Sequence, residues 1–278
     1  MAIGSCQTGP VPALEFIRQV VAIPDAEMRV HKVHTLWAAG DQHDWATLLR
    51  DLLERAHRGD AQDALATLEV VVRAAGLPSL AYAVRQQMYQ RVATAAPMLG
   101  RIFFAGAPAA TDPRLEKLLG VERPLEPRGR PLTLGERKSL ARTHRRGVLT
   151  ALCKDPHPDV VAIMLDNPHV TEPDVVRIAS LRPAVPAALA VIAIHARWSL
   201  RPAVKRAVVW NPATPLDVAI RVATTLRTTD LRDVVDAPAL VPPVRAHALD
   251  LLTTLRRLRP TVAPSIQPPL ASSGPAAE

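Results

Sequence analysis

The chain has 278 residues, enough for one large domain or two ordinary ones. Apolar residues make up 48% of it but aromatics only 3%, so whatever core it buries is aliphatic. Two distant cysteines, Cys6 and Cys153, exclude a disulfide framework and a cysteine-rich zinc site, while the net charge of +8 leaves an acidic or phosphate-bearing partner open.

Residues 1–12 contain Gly4, Gly9, Pro10 and Pro12 and are expected to be disordered. Met1 to Phe16 lacks the basic and apolar regions of a signal peptide. The longest nearly apolar run, Ala184 to Ile194, is too short to span a bilayer and holds Pro186. The expectation is a cytoplasmic protein with no membrane partner.

Residues 13–110 are assigned to an N-terminal helical bundle or irregular helical array. Leu14, Ile17, Val20 and Val21 form a first stripe that Pro24 stops. A second helix begins near Asp25 and carries Met28, Val33, Leu36 and Trp37 to Gly40. Asp41 is expected to cap a third, in which Trp45, Leu48, Leu49, Leu52 and Leu53 recur at the spacing of one buried face. Gly59-Asp60 separates it from a helix running through Leu65, Leu68 and Val72 to Gly76, and another follows from Ser79 to about Ala96. Leu99, Ile102, Phe103 and Phe104 form a short apolar piece expected to dock on the core.

Residues 111–132 read as a Pro/Gly/Arg-rich linker and the domain boundary, with Arg114 to Leu119 able to form a turn or two of helix. Most of the excess charge starts here: residues 114–146 carry 10 basic and 4 acidic side chains.

Residues 133–258 repeat. Thr133-Leu-Gly-Glu136 is a capping box, and Gly147 is expected to break the chain before a helix through Leu149 and Leu152. Cys153 reads as a small buried hydrophobe. Prolines then recur at helix-start positions, at Pro158, Pro173, Pro186, Pro202, Pro215 and Pro242, with Thr229-Asp230 filling the one long gap. Thr171 and Thr214 are expected to cap, each with a proline in the first turn and an aspartate on the positive end of the dipole. Pro158, Val160, Asn167, Pro168, Arg177 and Ala179 return 44 residues later as Pro202, Val204, Asn211, Pro212, Arg221 and Ala223. Helices this short are marginal alone and persist by stacking. The expected fold is therefore all-α: an α-solenoid of HEAT/armadillo-like stacked short helices behind the N-terminal bundle. Residues 259–278 form a Pro/Ala-rich tail expected to be disordered.

Asp155-Pro-His-Pro158, Asn167-Pro168, Thr171-Glu172, Arg201-Pro202 and Asn211-Pro-Ala-Thr-Pro215 resemble the units of bacterial HEAT-like repeat proteins, and among them the leucine-rich-repeat variant group. The resemblance covers residues 133–252 and implies the fold. It would also imply the iron–sulfur cluster found beside such repeats, which two distant cysteines cannot ligate, so no cofactor is expected.

No phosphate loop, nucleophile elbow or paired-carboxylate motif is present, and no catalytic residue or small-molecule substrate is assigned. His31, His34, Asp41, His43 and Asp44 could seed a metal site, but without further ligands at fixed spacing none is assigned. The better candidate is a surface made by Arg137, Lys138, Arg142, Arg145 and Arg146 with Arg197, Trp198, Arg201, Lys205, Arg206 and Trp210. Two readings of it stand: a non-catalytic scaffold that binds a protein or peptide along its repeat face, or a nucleic-acid-binding repeat protein with a tryptophan stacked on a base, which would be similar to the HEAT-like glycosylases of alkylated DNA bases.

Overall fold

The computed structural model describes residues 13–41, 43–58, 62–106 and 132–258. Among them the chain is all-helical, with fifteen α-helices and no strand. None of these helices is long and apolar enough to cross a membrane. The expected disordered ends, most of the 111–132 linker with the turn or two of helix expected in it, and the expected Gly59-Asp60 break lie outside the described residues.

The first six helices are α1 (Ala13–Val21), α2 (Ala26–Ala38), α3 (Trp45–Arg58), α4 (Gln62–Gly76), α5 (Tyr82–Ala95) and α6 (Pro97–Gly100), with a 3₁₀ turn at Arg101–Phe103. Asp25 caps α2 by accepting the Met28 amide at 2.8 Å. The cap of α3 is Asp44, which accepts the Thr47 amide at 3.2 Å and its hydroxyl at 2.6 Å; the hydroxyl bond is the main reason that its carboxyl is lowered. Asp41, expected there from sequence, instead accepts the Trp45 indole at 2.9 Å. The core of this half is an edge-to-face chain. Phe16 meets Trp45 at 5.4 Å, Trp45 meets Trp37 at 5.4 Å, and Trp37 meets Phe103 at 5.1 Å. Such pairs contribute beyond the area they bury, and they gather two of the four tryptophans and two of the three phenylalanines.

The second half holds α7 (Leu134–Leu140), α8 (Arg146–Leu152), α9 (Pro158–Asp166), α10 (Glu172–Ala179), α11 (Pro186–Ile194), α12 (Pro202–Val209), α13 (Leu216–Ala223), α14 (Thr228–Asp236) and α15 (Pro242–Leu258). Prolines occupy the first turn of α9, α10, α11 and α12, where a missing N–H costs nothing, and Pro242 opens α15. Thr133 and Glu136 make the expected capping box. Thr171 donates its amide (2.9 Å) and hydroxyl (2.7 Å) to Asp174. Two expectations are corrected. Thr214 does not cap: its hydroxyl donates to Val208 O at 2.6 Å, and Pro215 holds the cap position of α13. Gly147 lies inside α8, and the break comes before Arg146.

Helices pack on their second neighbours. α7, α9, α11, α13 and α15 follow one another in one row, while α10 and α12 pair in another. Polar side chains at helix ends tie these second neighbours together. Asn167, ending α9, donates to Ala141 O (2.7 Å) and Thr143 O (2.9 Å) beyond α7. Asn211, after α12, donates to Ala179 O (2.8 Å) at the end of α10 and to Leu181 O (2.9 Å) just beyond it. Each also accepts the amide two residues ahead, from His169 and Ala213. His195, ending α11, meets Asp166 at the end of α9 at 3.2 Å.

The N-terminal helices do not extend the array from its end. α4 and the 3₁₀ turn lie against α13, and α3 and α6 against α15. Hence α13 is covered on all sides, with every residue from Val218 to Ala223 buried. Polar ties cross this junction. Arg73 donates to Ile194 O (2.7 Å), Arg221 to Phe104 O (2.9 Å), and Arg101 to Asp250 (2.7 Å), while His57 meets Leu226 O at 3.1 Å. At Gly76 an added Cβ would lie 3.3 Å from Ile194, tighter than ordinary contact, so glycine permits the close approach of α4. One continuous apolar cluster joins the two halves.

Candidate functional site

The sequence-selected basic residues divide into three groups. The largest is committed to carboxylates of the fold itself. Arg137 is 8% exposed and grips Asp155 with one terminal nitrogen, 2.7 Å from each oxygen. Arg146 on α8 makes a fork on Asp174 of α10, both contacts at 2.6 Å. That fork, seconded by Thr171, holds the Asp174 carboxyl far below the usual carboxylate range. Lys138 donates to Asp159 at 2.6 Å, which is the chief reason the Asp159 carboxyl is lowered. Lys205, 6% exposed, pairs with Glu69 of α4 across the junction of the halves. Arg206 spans Asp230 (3.1 Å) and Asp233 (2.9 Å) of α14.

The second group is stacked or leans on backbone. The Arg197 guanidinium lies 4.2 Å from the Trp198 ring centre. Trp198 itself is 1% exposed, and its indole N–H donates to Leu165 O at 2.8 Å. It fills the space between α9 and the chain leading into α12 and presents no ring face to a base. Trp210 is half-buried, with Arg206 5.8 Å from its ring centre and Arg182 donating to its carbonyl at 3.0 Å. Arg142 is exposed and donates to Lys138 O at 2.9 Å. Of the eleven residues, only Arg145 and Arg201 remain exposed without a partner among the described residues. The fold therefore does not assemble the eleven residues into one open basic face.

The histidine–aspartate group resolves similarly. His43 contacts Asp41, whose other oxygen accepts the Trp45 indole, and Arg91 holds the loop through Asp41 O (2.7 Å) and His43 O (3.1 Å). His31 lies beside Thr35 and His34 beside Ser79, each at 3.5 Å. Among the described residues no three His, Cys, Asp or Glu side chains gather where a metal ion could sit. Cys153 is fully buried with its thiol toward Leu149 O at 3.3 Å, and burial pushes its pKa up to about 11.

Two concavities are better formed than the basic clusters, and no motif in the sequence marked either. One lies between the chain leading into α9 and the turn from α10 to α11. Its volume is about 130 Å³, its walls are Ile178, Leu181, Val185, Ala188 and Leu189, and Arg182 stands at it. The other is a groove of about 350 Å³ between α14 and α15, lined by Thr228, Arg232, Leu252, Leu255 and Arg256. No family model, curated protein or solved structure matches the chain.

Proposed function

We propose that this protein is a non-catalytic helical-repeat scaffold, an α-solenoid of HEAT/armadillo-like units, that binds a protein or peptide partner along its repeat face. The recurrent Asn167 and Asn211 ties and the second-neighbour packing of α9 on α11 and α10 on α12 support the repeat reading. The observation that carries the function is the aliphatic cleft at Ile178, Leu181, Val185, Ala188 and Leu189. At about 130 Å³ it is well below the roughly 300–1,000 Å³ of ordinary small-molecule pockets. It has room for one apolar side chain of a partner, with Arg182, one of whose N–H groups already donates to Trp210 O, beside it for a flanking polar group.

The nucleic-acid reading has less support. Arg137, Lys138, Arg146, Lys205 and Arg206 are already neutralised by carboxylates, and the Trp198 face is sealed. Phosphate binding needs cations free to displace the counterions condensed on the nucleic acid, and those five are already paired.

The test is site-directed photocrosslinking in the full chain. A photoreactive residue at Leu181 should capture a co-purifying protein, whereas the same residue at exposed Leu14 should not, and Ala184→Arg should abolish the Leu181 product. A partner that co-purifies unchanged with Ala184→Arg would overturn the assignment of the cleft. Tight salt-sensitive binding of DNA or RNA, with no captured protein, would overturn the function itself.

A further inference from the structure

We infer that the groove between α14 and α15 is a docking site for an acidic segment of a partner protein, bearing leucine-type side chains between its carboxylates. The inference rests on the scaffold reading for the kind of partner, and it names a second site and its chemistry.

The charge bookkeeping of the two helices points to it. Asp230 and Asp233 are both engaged by Arg206, and Asp250 is engaged by Arg101. Asp236 lies two turns beyond Thr228, at the other end of α14. Against these committed carboxylates, Arg227, Arg232, Arg256 and Arg257 are all exposed, and none has a partner among the described residues. Arg232 of α14 and Arg256 of α15 both line the groove. Leu252 and Leu255 supply its apolar floor, and Thr228 adds a hydroxyl. α14 also starts without a side-chain cap, so its first-turn amides add positive potential at the Thr228 end.

Each part selects against other ligands. Two guanidiniums can form paired hydrogen bonds with carboxylates, a geometry lysine could not offer. The leucine floor has no use for a phosphate backbone, and the groove offers no aromatic platform on which a base could stack. A concave floor between two cationic edges also differs from the protruding apolar face by which a helix enters a bilayer. An extended or helical acidic segment, with one or two leucines turned inward, satisfies both edges and floor.

The experiment uses the full chain and fluorescence anisotropy. The probe is a short labelled peptide with glutamates flanking a leucine pair; the reference peptide has glutamine at every glutamate. The acidic peptide should bind, with affinity falling as salt rises, and the glutamine peptide should not. Replacing both arginines (Arg232→Gln with Arg256→Gln) should weaken binding about tenfold, the effect of two partly screened ion pairs. Both are exposed and unpaired, so thermal unfolding should not change, and Arg201→Gln should leave binding intact. Leu252→Ser should weaken binding without altering its salt dependence. Removing residues 259–278 should leave affinity equal or higher; lost binding would mean that the tail is the receptor and would overturn the proposal. Equal binding by the double variant, or an oligonucleotide that binds the groove in preference to the peptide, would also overturn it. If the acidic peptide fails these tests while a cellular partner is still captured at Leu181, the scaffold reading survives and this inference alone falls.

Discussion

Asn211→Ala tests the device that ties the helices together. Asn211 is 3% exposed and makes three hydrogen bonds: its amide to Ala179 O (2.8 Å) and Leu181 O (2.9 Å), and its carbonyl from the Ala213 amide (3.0 Å). A neutral hydrogen bond contributes about 1 kcal/mol net, and a stranded buried carbonyl costs roughly 1–3 kcal/mol more. Partial access of water to Leu181 O lowers the sum, so we expect a loss of roughly 2–4 kcal/mol. In a chain of this size that is a fall of roughly 5–12 °C in Tm, with a lower urea midpoint and an unchanged slope. Asn211→Asp separates the hydrogen bonds from packing. It keeps the acceptor but turns a carboxylate toward two carbonyl oxygens, so at neutral pH it should be less stable than Asn211→Ala. Asn167→Ala should cost a similar amount, and because the two asparagines share no partner the losses should add. If Asn211→Asp proves as stable as the wild type, the amide does not donate to α10 and the tie does not exist.

Other consequences follow from buried groups. His247 is fully buried on α15, with Thr224 at 3.0 Å and Arg101 and Asp250 as neighbouring charges; burial, seconded by Arg101, lowers its pKa to about 4. The folded chain therefore binds fewer protons than the unfolded chain between about pH 4 and the ordinary histidine value of about 6.5. Its contribution is fully present above that window and is lost as pH falls through it, by roughly 3 kcal/mol. Urea midpoints measured against pH should show the decline, and His247→Gln should flatten it. Lys205→Ala strands Glu69 and should cost about 3 kcal/mol in denaturant unfolding, whereas Arg201→Ala should stay within about 0.5 kcal/mol; equal effects would refute the buried pair. In a Cys6→Ser background, Cys153 should resist iodoacetamide until the chain is unfolded, because the reactive thiolate is both scarce and enclosed.

Much of the helix pattern was legible because short-range chemistry dictates it. Proline at a first turn, the Thr133–Glu136 box and the stripe from Trp45 to Leu53 act within a few residues, and the structure places each accordingly. Thr214 misled for a local reason. Its hydroxyl had two partners within reach, the first-turn amides ahead, from which it could accept, and Val208 O behind, to which it donates, and only the fold decides between them. The basic clusters misled for a longer-range one. Arg146 and Asp174 are 28 residues apart, and Lys205 and Glu69 are 136, so nothing local showed that those cations were already spoken for. The α14–α15 groove is the converse. Arg232 and Arg256 stand a hairpin apart in ordinary helical sequence, and only the pairing of their neighbours leaves them free.

The sequence period and the packing period do not coincide, and that mismatch constrains how the array is built. Forty-four residues span three helices, from Pro158 to Pro202, whereas packing advances two helices at a time. The echo of α9 is therefore α12, which lies in the other row, yet Asn167 and Asn211 make the same tie from both. The tie depends only on the second-neighbour relation, so it serves either row. Position against the N-terminal helices does depend on the row, because α4 and the 3₁₀ turn pack on α13. Excising residues 158–201 would seat α12 in place of α9, with its proline start and asparagine intact. It would also move α13 into the opposite row, away from Phe104 and Gly76. Such a chain should keep its helical circular dichroism while losing cooperative unfolding, and a sharp wild-type-like transition would show that the row assignment is wrong.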